Sequence, residues 1–147
     1  MFDWLANPNR FNRITEKIQP CILFITIITL ISGLYFGLFD SPKDYQQGDA
    51  VRIMYVHVPS AWLASFLYFS LAISCVFYLV WKHPLADLVS SSIAPIGALF
   101  SALTLVTGSL WGKPMWGTWW VWDARLTSML VLFFFYLGYI LLSNAFE

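Results

Sequence analysis

This sequence has little charge: eight acidic and eight basic residues among 147, 11% of the chain, with a formal balance of zero. Such a balance leaves no bulk electrostatic argument for nucleic acid or for any partner of one sign, so each charge matters by its position. Cysteine and histidine are equally sparse. Cys21 and Cys75 lie inside apolar runs and have no CxxC or CxxCH spacing, so neither a thiolate metal site nor thioether attachment of a cofactor can be read from them. They read as small apolar packing residues. No paired-carboxylate motif, no Ser-His-Asp arrangement and no phosphate-cradling glycine loop occurs, which argues against an enzyme. The expectation is a chain that binds and hands over without making or breaking covalent bonds.

Apolar and aromatic residues fill the space that charge leaves. Hydrophobic residues make up 59% of the chain and aromatics 19%, and the mean hydropathy is +0.69, values that belong to a membrane protein. Four uncharged runs, at 19–39, 59–81, 88–111 and 126–143, are each long enough to approach or cross roughly 30 Å of hydrocarbon. The sequence therefore predicts an all-α, polytopic bundle of four transmembrane helices, with residues 1–147 as one integral-membrane domain. Residues 1–17, with Trp4, Arg10, Phe11, Arg13 and Lys17, read as a retained amphipathic lead-in; the apolar run behind them is too long for a cleaved secretory signal. Small residues recur at three- and four-residue spacing in the first run (Thr26, Thr29, Gly33, Gly37) and the third (Ala94, Gly97, Ser101, Thr104, Gly108), marking seams where another helix approaches closely.

The connections carry the signals for chemistry. The segment 40–58 begins as a solvated loop and turns apolar before Pro59, a residue suited to the first turn of a helix, so His57 is expected at the mouth of helix two. Pro84 separates helices two and three beside His83, which reads as an ordinary loop residue. Basic residues divide evenly: Arg10, Arg13, Lys17 and Lys82 on one side, Lys43, Arg52, Lys113 and Arg125 on the other. The three basic residues ahead of helix one, against Asp40 behind it, favour cytoplasmic termini and place His57 and the segment after helix three together on the outer face.

That segment, Trp-Gly-Lys-Pro-Met-Trp-Gly-Thr-Trp-Trp-Val-Trp-Asp-Ala-Arg-Leu from Trp111 to Leu126, holds five of the eight tryptophans. Indoles favour membrane interfaces whether or not anything binds there. A belt, however, spreads over both interfaces, whereas Trp111, Trp116, Trp119, Trp120 and Trp122 fall in one loop. If Pro114 begins a short surface helix, Trp116, Trp120 and Asp123 share a face, with Trp119 and Trp122 beside it. Such a shelf suits a large flat apolar ligand stacked on indoles. Arg125 and Lys113 suit its peripheral carboxylates, although Arg125 serves equally as an ion-pair partner for Asp123 or as a lipid-phosphate contact. His57 alone reads as a hydrogen-bonded interfacial residue; beside an aromatic shelf it becomes a candidate axial ligand for a tetrapyrrole iron. Met54 and Met115 are weaker candidates for a second ligand.

Trp116-Gly-Thr-Trp-Trp-Val-Trp-Asp-Ala-Arg125-Leu-Thr resembles the tryptophan-rich signature of the haem-handling, or WWD, family of cytochrome c maturation. With Arg52-Ile-Met-Tyr-Val-His57-Val-Pro-Ser-Ala-Trp62 and Thr107-Gly-Ser-Leu-Trp-Gly-Lys-Pro114, it is similar to the CcmC branch over essentially the whole chain. The resemblance implies a periplasm-facing haem site in the bacterial inner membrane, with His57 as axial ligand to the iron. It further implies Trp116, Trp119, Trp120, Trp122 and Asp123 as the platform for a transient haem b cargo, with Arg125 near the propionates. Implied partners are ABC-type transporter subunits, a small membrane subunit and a periplasmic haem chaperone that receives the haem for cytochrome c-type biogenesis.

Members of this branch resemble six-helix proteins with a second outer-face histidine between helices five and six. The sequence ends after its fourth apolar run, so it is expected to be a fragment or to draw its second ligand from another chain. The competing reading is a structural or transporter subunit with an interfacial tryptophan anchor and no cofactor. A cytochrome b-like subunit would need histidines facing each other inside the bundle, where this sequence has none.

Overall fold

The computed structural model describes residues 8–146 and is all-helical. Helix α1 is Pro8–Tyr35 and runs on through one π-helical turn, Phe36–Asp40; α2 is Val51–Trp81, α3 Pro84–Trp116 and α4 Ala124–Phe146. Among the described residues there is no strand, and four helices are long and apolar enough to cross a membrane. The chain divides into two compact units, residues 1–41 and 42–147.

The described residues of the first unit form a single continuous helix. It begins well before the predicted position 19, because the lead-in from Pro8 onward continues the same helix and carries Arg10, Arg13 and Lys17 on its first turns. The part of the lead-in that holds Trp4 lies outside the described residues. Thr29 and Ser32 turn their hydroxyls back onto the Ile25 and Ile28 carbonyls, at 2.8 and 2.7 Å. This satisfies them without a second helix.

In the second unit α3 is the central element, packed against α2 on one side and α4 on the other. The predicted small-residue seam of α3 explains this. Ala94, Ala98, Ser101 and Thr104 are buried, and their small side chains let the neighbouring helices come close. Their hydroxyls are satisfied within the helix: Ser101 donates to the Gly97 carbonyl at 2.9 Å and Thr104 to that of Phe100 at 2.7 Å. Across the seam Tyr136 of α4 is fully buried on Gly97, where a β-carbon would overlap its ring. The Tyr136 hydroxyl passes α3 and donates to the Ala64 carbonyl of α2 at 2.8 Å. One side chain thus ties all three helices. Cys75 packs against this core as expected, whereas Cys21 is exposed on α1.

Helices α2, α3 and α4 depart from the sequence expectation at their boundaries, each for an identifiable reason. Helix α2 starts at Val51, eight residues before Pro59, because the apolar stretch from Val51 to Val58 is itself helical and membrane helices tolerate an interior proline. His57 therefore lies within α2 and not ahead of it. Helix α3 starts at Pro84, with His83 as its cap: the ring Nδ1 accepts from the Leu85 N–H at 3.3 Å. It also runs on through Pro114 to Trp116, where Gly117, at φ +75°, adopts the left-handed conformation that ends the helix. Helix α4 begins at Ala124, two residues early, because Asp123 caps it.

Candidate functional site

The start of α2, the end of α3 and the start of α4 share one end of the second unit, and a cavity of about 290 Å³ opens between them. Met54 and His57 line it from α2, Gly108, Trp111 and Trp116 from α3, and Arg125 and Met129 from α4. The walls are mainly apolar, with an imidazole and a guanidinium among them. His83, at the opposite ends of α2 and α3, takes no part.

His57 is half-buried, and its placement follows from the small-residue seam. Gly108 leaves room for the ring: a β-carbon there would sit 3.1 Å from the imidazole Cε1. One residue earlier on α3, the Thr107 hydroxyl lies 3.0 Å from His57 Nδ1. Trp111 is fixed from both sides. Its indole N–H donates to Gln47 Oε1 at 2.9 Å, and its ring meets Trp116 edge to face at 5.0 Å between centroids. Gln47 belongs to a compact turn in which Asp44 accepts from the Gln46 and Gln47 amides, so the loop before α2 is tethered to the end of α3.

Residues 117–123 do not form the surface helix expected from Pro114. Pro114 instead sits in the last turn of α3, and the segment from Gly117 to Asp123 is irregular. The shared helical face of Trp116, Trp120 and Asp123 is therefore absent. Of the five tryptophans singled out from the sequence, Trp111 and Trp116 line the cavity, while Trp119 is 54% exposed and Trp122 76% exposed. Trp120 is partly buried, edge to face with Trp122 at 5.4 Å, and its indole N–H is buried without a hydrogen-bond partner. The indoles thus form two pairs, Trp111 with Trp116 at the cavity and Trp120 with Trp122 on the loop.

Asp123 and Arg125 act together. The Asp123 carboxylate accepts from the Leu126 N–H at 2.8 Å, capping α4, and from Arg125 Nη2 at 2.7 Å. Arg125 also lies over the Trp116 ring, 5.3 Å from its centroid. The Leu126 N–H, followed by the Arg125 guanidinium, holds the Asp123 carboxyl below its ordinary value. Because the folded value is depressed, the stabilisation is fully present above the ordinary carboxylate range and is lost as pH falls through the lowered value. The protection of the Leu126 and Thr127 amides against hydrogen exchange, taken relative to the intrinsic rate at each pH, is accordingly expected to fall in acid. Asp123→Ala should lower that protection at neutral pH and abolish its further loss in acid.

Sequence reasoning missed Thr107 and Gln47 as members of this site. Thr107 stood inside a recognised stretch, but nothing local marks a threonine as a histidine's partner or a loop glutamine as an indole's. Comparison with known proteins supplies the family. The family described as Heme exporter protein C matches residues 1–147. The chain belongs to the Heme exporter protein C family. It is 52% identical over 141 residues to Heme exporter protein C of Bradyrhizobium diazoefficiens, covering 96% of this chain and 53% of that protein. To the Haemophilus influenzae protein of the same description it is 52% identical over 150 residues, covering 100% and 61%. To the Escherichia coli K12 protein it is 48% identical over 143 residues, covering 97% and 58%. The chain therefore spans between 53% and 61% of the length of these members of the Heme exporter protein C family.

Proposed function

We propose that the chain binds haem, as cargo, at the outer face of the bacterial inner membrane and passes it on for cytochrome c biogenesis. The observation that carries this reading is the convergence of His57, Trp116 and Arg125, from three different helices, on one mainly apolar cavity. The donor set suits a haem: an imidazole for the iron, indoles for the ring, a guanidinium for propionates. At about 290 Å³ the cavity lies at the low end of ligand pockets, so it takes the part of the macrocycle nearest His57. The remainder lies against the indoles of the loop, Trp119, Trp120 and Trp122, with Asp123 holding Arg125 in place. Haem b is the cargo in this reading, and both termini are cytoplasmic. ABC-type transporter subunits, a small membrane subunit and a periplasmic haem chaperone are the partners. No nucleic acid is involved.

Absorption of the detergent-purified chain from haem-replete cells tests the reading, which requires a Soret band. Trp116→Ala should weaken haem retention several-fold, and Trp62→Ala, on an exposed face of α2 away from the cavity, should leave it unchanged. A colourless wild-type chain that takes up no added haem would favour the structural-subunit reading, with the tryptophans as an interfacial anchor. Equal losses in both variants would mean general destabilisation.

A further inference from the structure

We infer that Thr107 is a positioning residue that holds the His57 imidazole in its Nδ1–H tautomer, leaving Nε2 unprotonated and able to ligate iron. The inference rests on the haem reading for its purpose, but its geometry stands apart from it. A threonine hydroxyl has one proton to give. The Thr107 Oγ1 lies 2.7 Å from the Leu103 carbonyl, 3.3 Å from the Thr104 carbonyl and 3.0 Å from His57 Nδ1. Carbonyl oxygens only accept. Were the proton turned toward His57, a hydroxyl lone pair would face the Leu103 carbonyl at 2.7 Å, which is repulsive. The consistent arrangement has Thr107 donating to Leu103 and accepting from a protonated Nδ1.

This is the device by which a hydrogen bond to one ring nitrogen fixes both the tautomer and the orientation of a metal-binding histidine at the other. Here the supporting group is a neutral hydroxyl committed to its own helix, so it orients the ring without adding negative charge near the iron. Gly108 completes the device, because its bare α-carbon lets the ring lie close enough to reach Thr107. The chain carries its own reference, since His83 accepts from the Leu85 N–H through Nδ1 and must hold the opposite, Nε2–H, tautomer.

Two-bond ¹H–¹⁵N correlation of the ¹⁵N-histidine-labelled apo chain in detergent tests this, since only two histidines contribute. The expected result is Nδ1–H for His57 and Nε2–H for His83. Thr107→Val, which keeps the side-chain shape, should shift His57 toward the Nε2–H form. It should also weaken haem binding by roughly 10- to 100-fold, the usual cost of losing such a support. Thr107→Ser should restore both. Wild-type His57 found as Nε2–H overturns the proposal, as does Thr107→Val that leaves tautomer and haem affinity unchanged. If the tautomer behaves as expected while His57→Ala leaves haem binding intact, it is the haem-ligation reading that fails and the Thr107 assignment that stands.

Discussion

His57→Ala is expected to abolish the Soret band of the purified chain, or to leave haem bound at least ~100-fold more weakly, about 2.7 kcal/mol of binding free energy. The size follows from what would remain. Without the imidazole, an iron porphyrin would be held only by contact with Trp116 and its neighbours and by the exposed Arg125 guanidinium. Stacking on indoles is sequence-tolerant and modest, and an exposed charge contact is screened by salt. Residual binding should therefore be weak and should fall further as ionic strength rises. The variant should fold, because removing the ring leaves no buried group stranded: Thr107 keeps its bond to the Leu103 carbonyl. Exogenous imidazole, small enough to enter the vacated space, should restore part of the band. A Soret band of unchanged position and intensity, with secondary structure intact, would remove His57 as a ligand.

Much of this arrangement is legible in the sequence, and what is not has physical causes. The four apolar runs show the all-helical class, because a membrane-spanning helix must announce itself by length and absence of charge. The Ala94 to Gly108 seam identifies the crowded face of α3, since only small residues allow that approach. Helix ends are less legible. Pro59 and Pro114 are strong punctuation in water, yet in this chain both fall inside helices whose apolar sequence continues past them. That error displaced His57 from a helix interior to a loop and turned an irregular segment into a surface helix. The pairings Thr107 with His57, Gln47 with Trp111 and Tyr136 with Gly97 join residues far apart in the chain, and no local pattern encodes them. Family resemblance reached His57, Trp116 and Arg125, but it did not separate the indole pair at the cavity from the pair on the loop.

Gly97→Ala is expected to destabilise this chain strongly. The new β-carbon would overlap the Tyr136 ring, a fully buried side chain with helix backbone behind it, so the ring cannot yield by rotating alone. Either α4 moves off α3 or the tyrosine abandons its place, and in both cases its hydroxyl loses the Ala64 carbonyl that it reaches at 2.8 Å. Overpacking typically costs about 1–3 kcal/mol, and an interhelical hydrogen bond within a membrane adds roughly 0.6 to 1.7 kcal/mol. The expected loss is thus about 2–5 kcal/mol, measurable by unfolding in mixed detergent micelles or by steric trapping. Gly138→Ala on α4 is the control, for a β-carbon there meets nothing within 4 Å among the described residues. Relieved of glycine's entropy cost, it should be neutral or stabilising by up to about 1 kcal/mol. Combining Gly97→Ala with Tyr136→Leu should recover part of the loss, because the two changes share one contact and cannot add independently. The same displacement reaches the site, since α4 carries Arg125 and Met129 into the cavity wall. A Gly97→Ala chain that remains folded should therefore bind haem more weakly, although Gly97 does not itself line the cavity. Equal stability of the Gly97→Ala and Gly138→Ala chains would mean that Tyr136 does not pack on α3 as described, and that the alignment of the three helices at the cavity rests on something else.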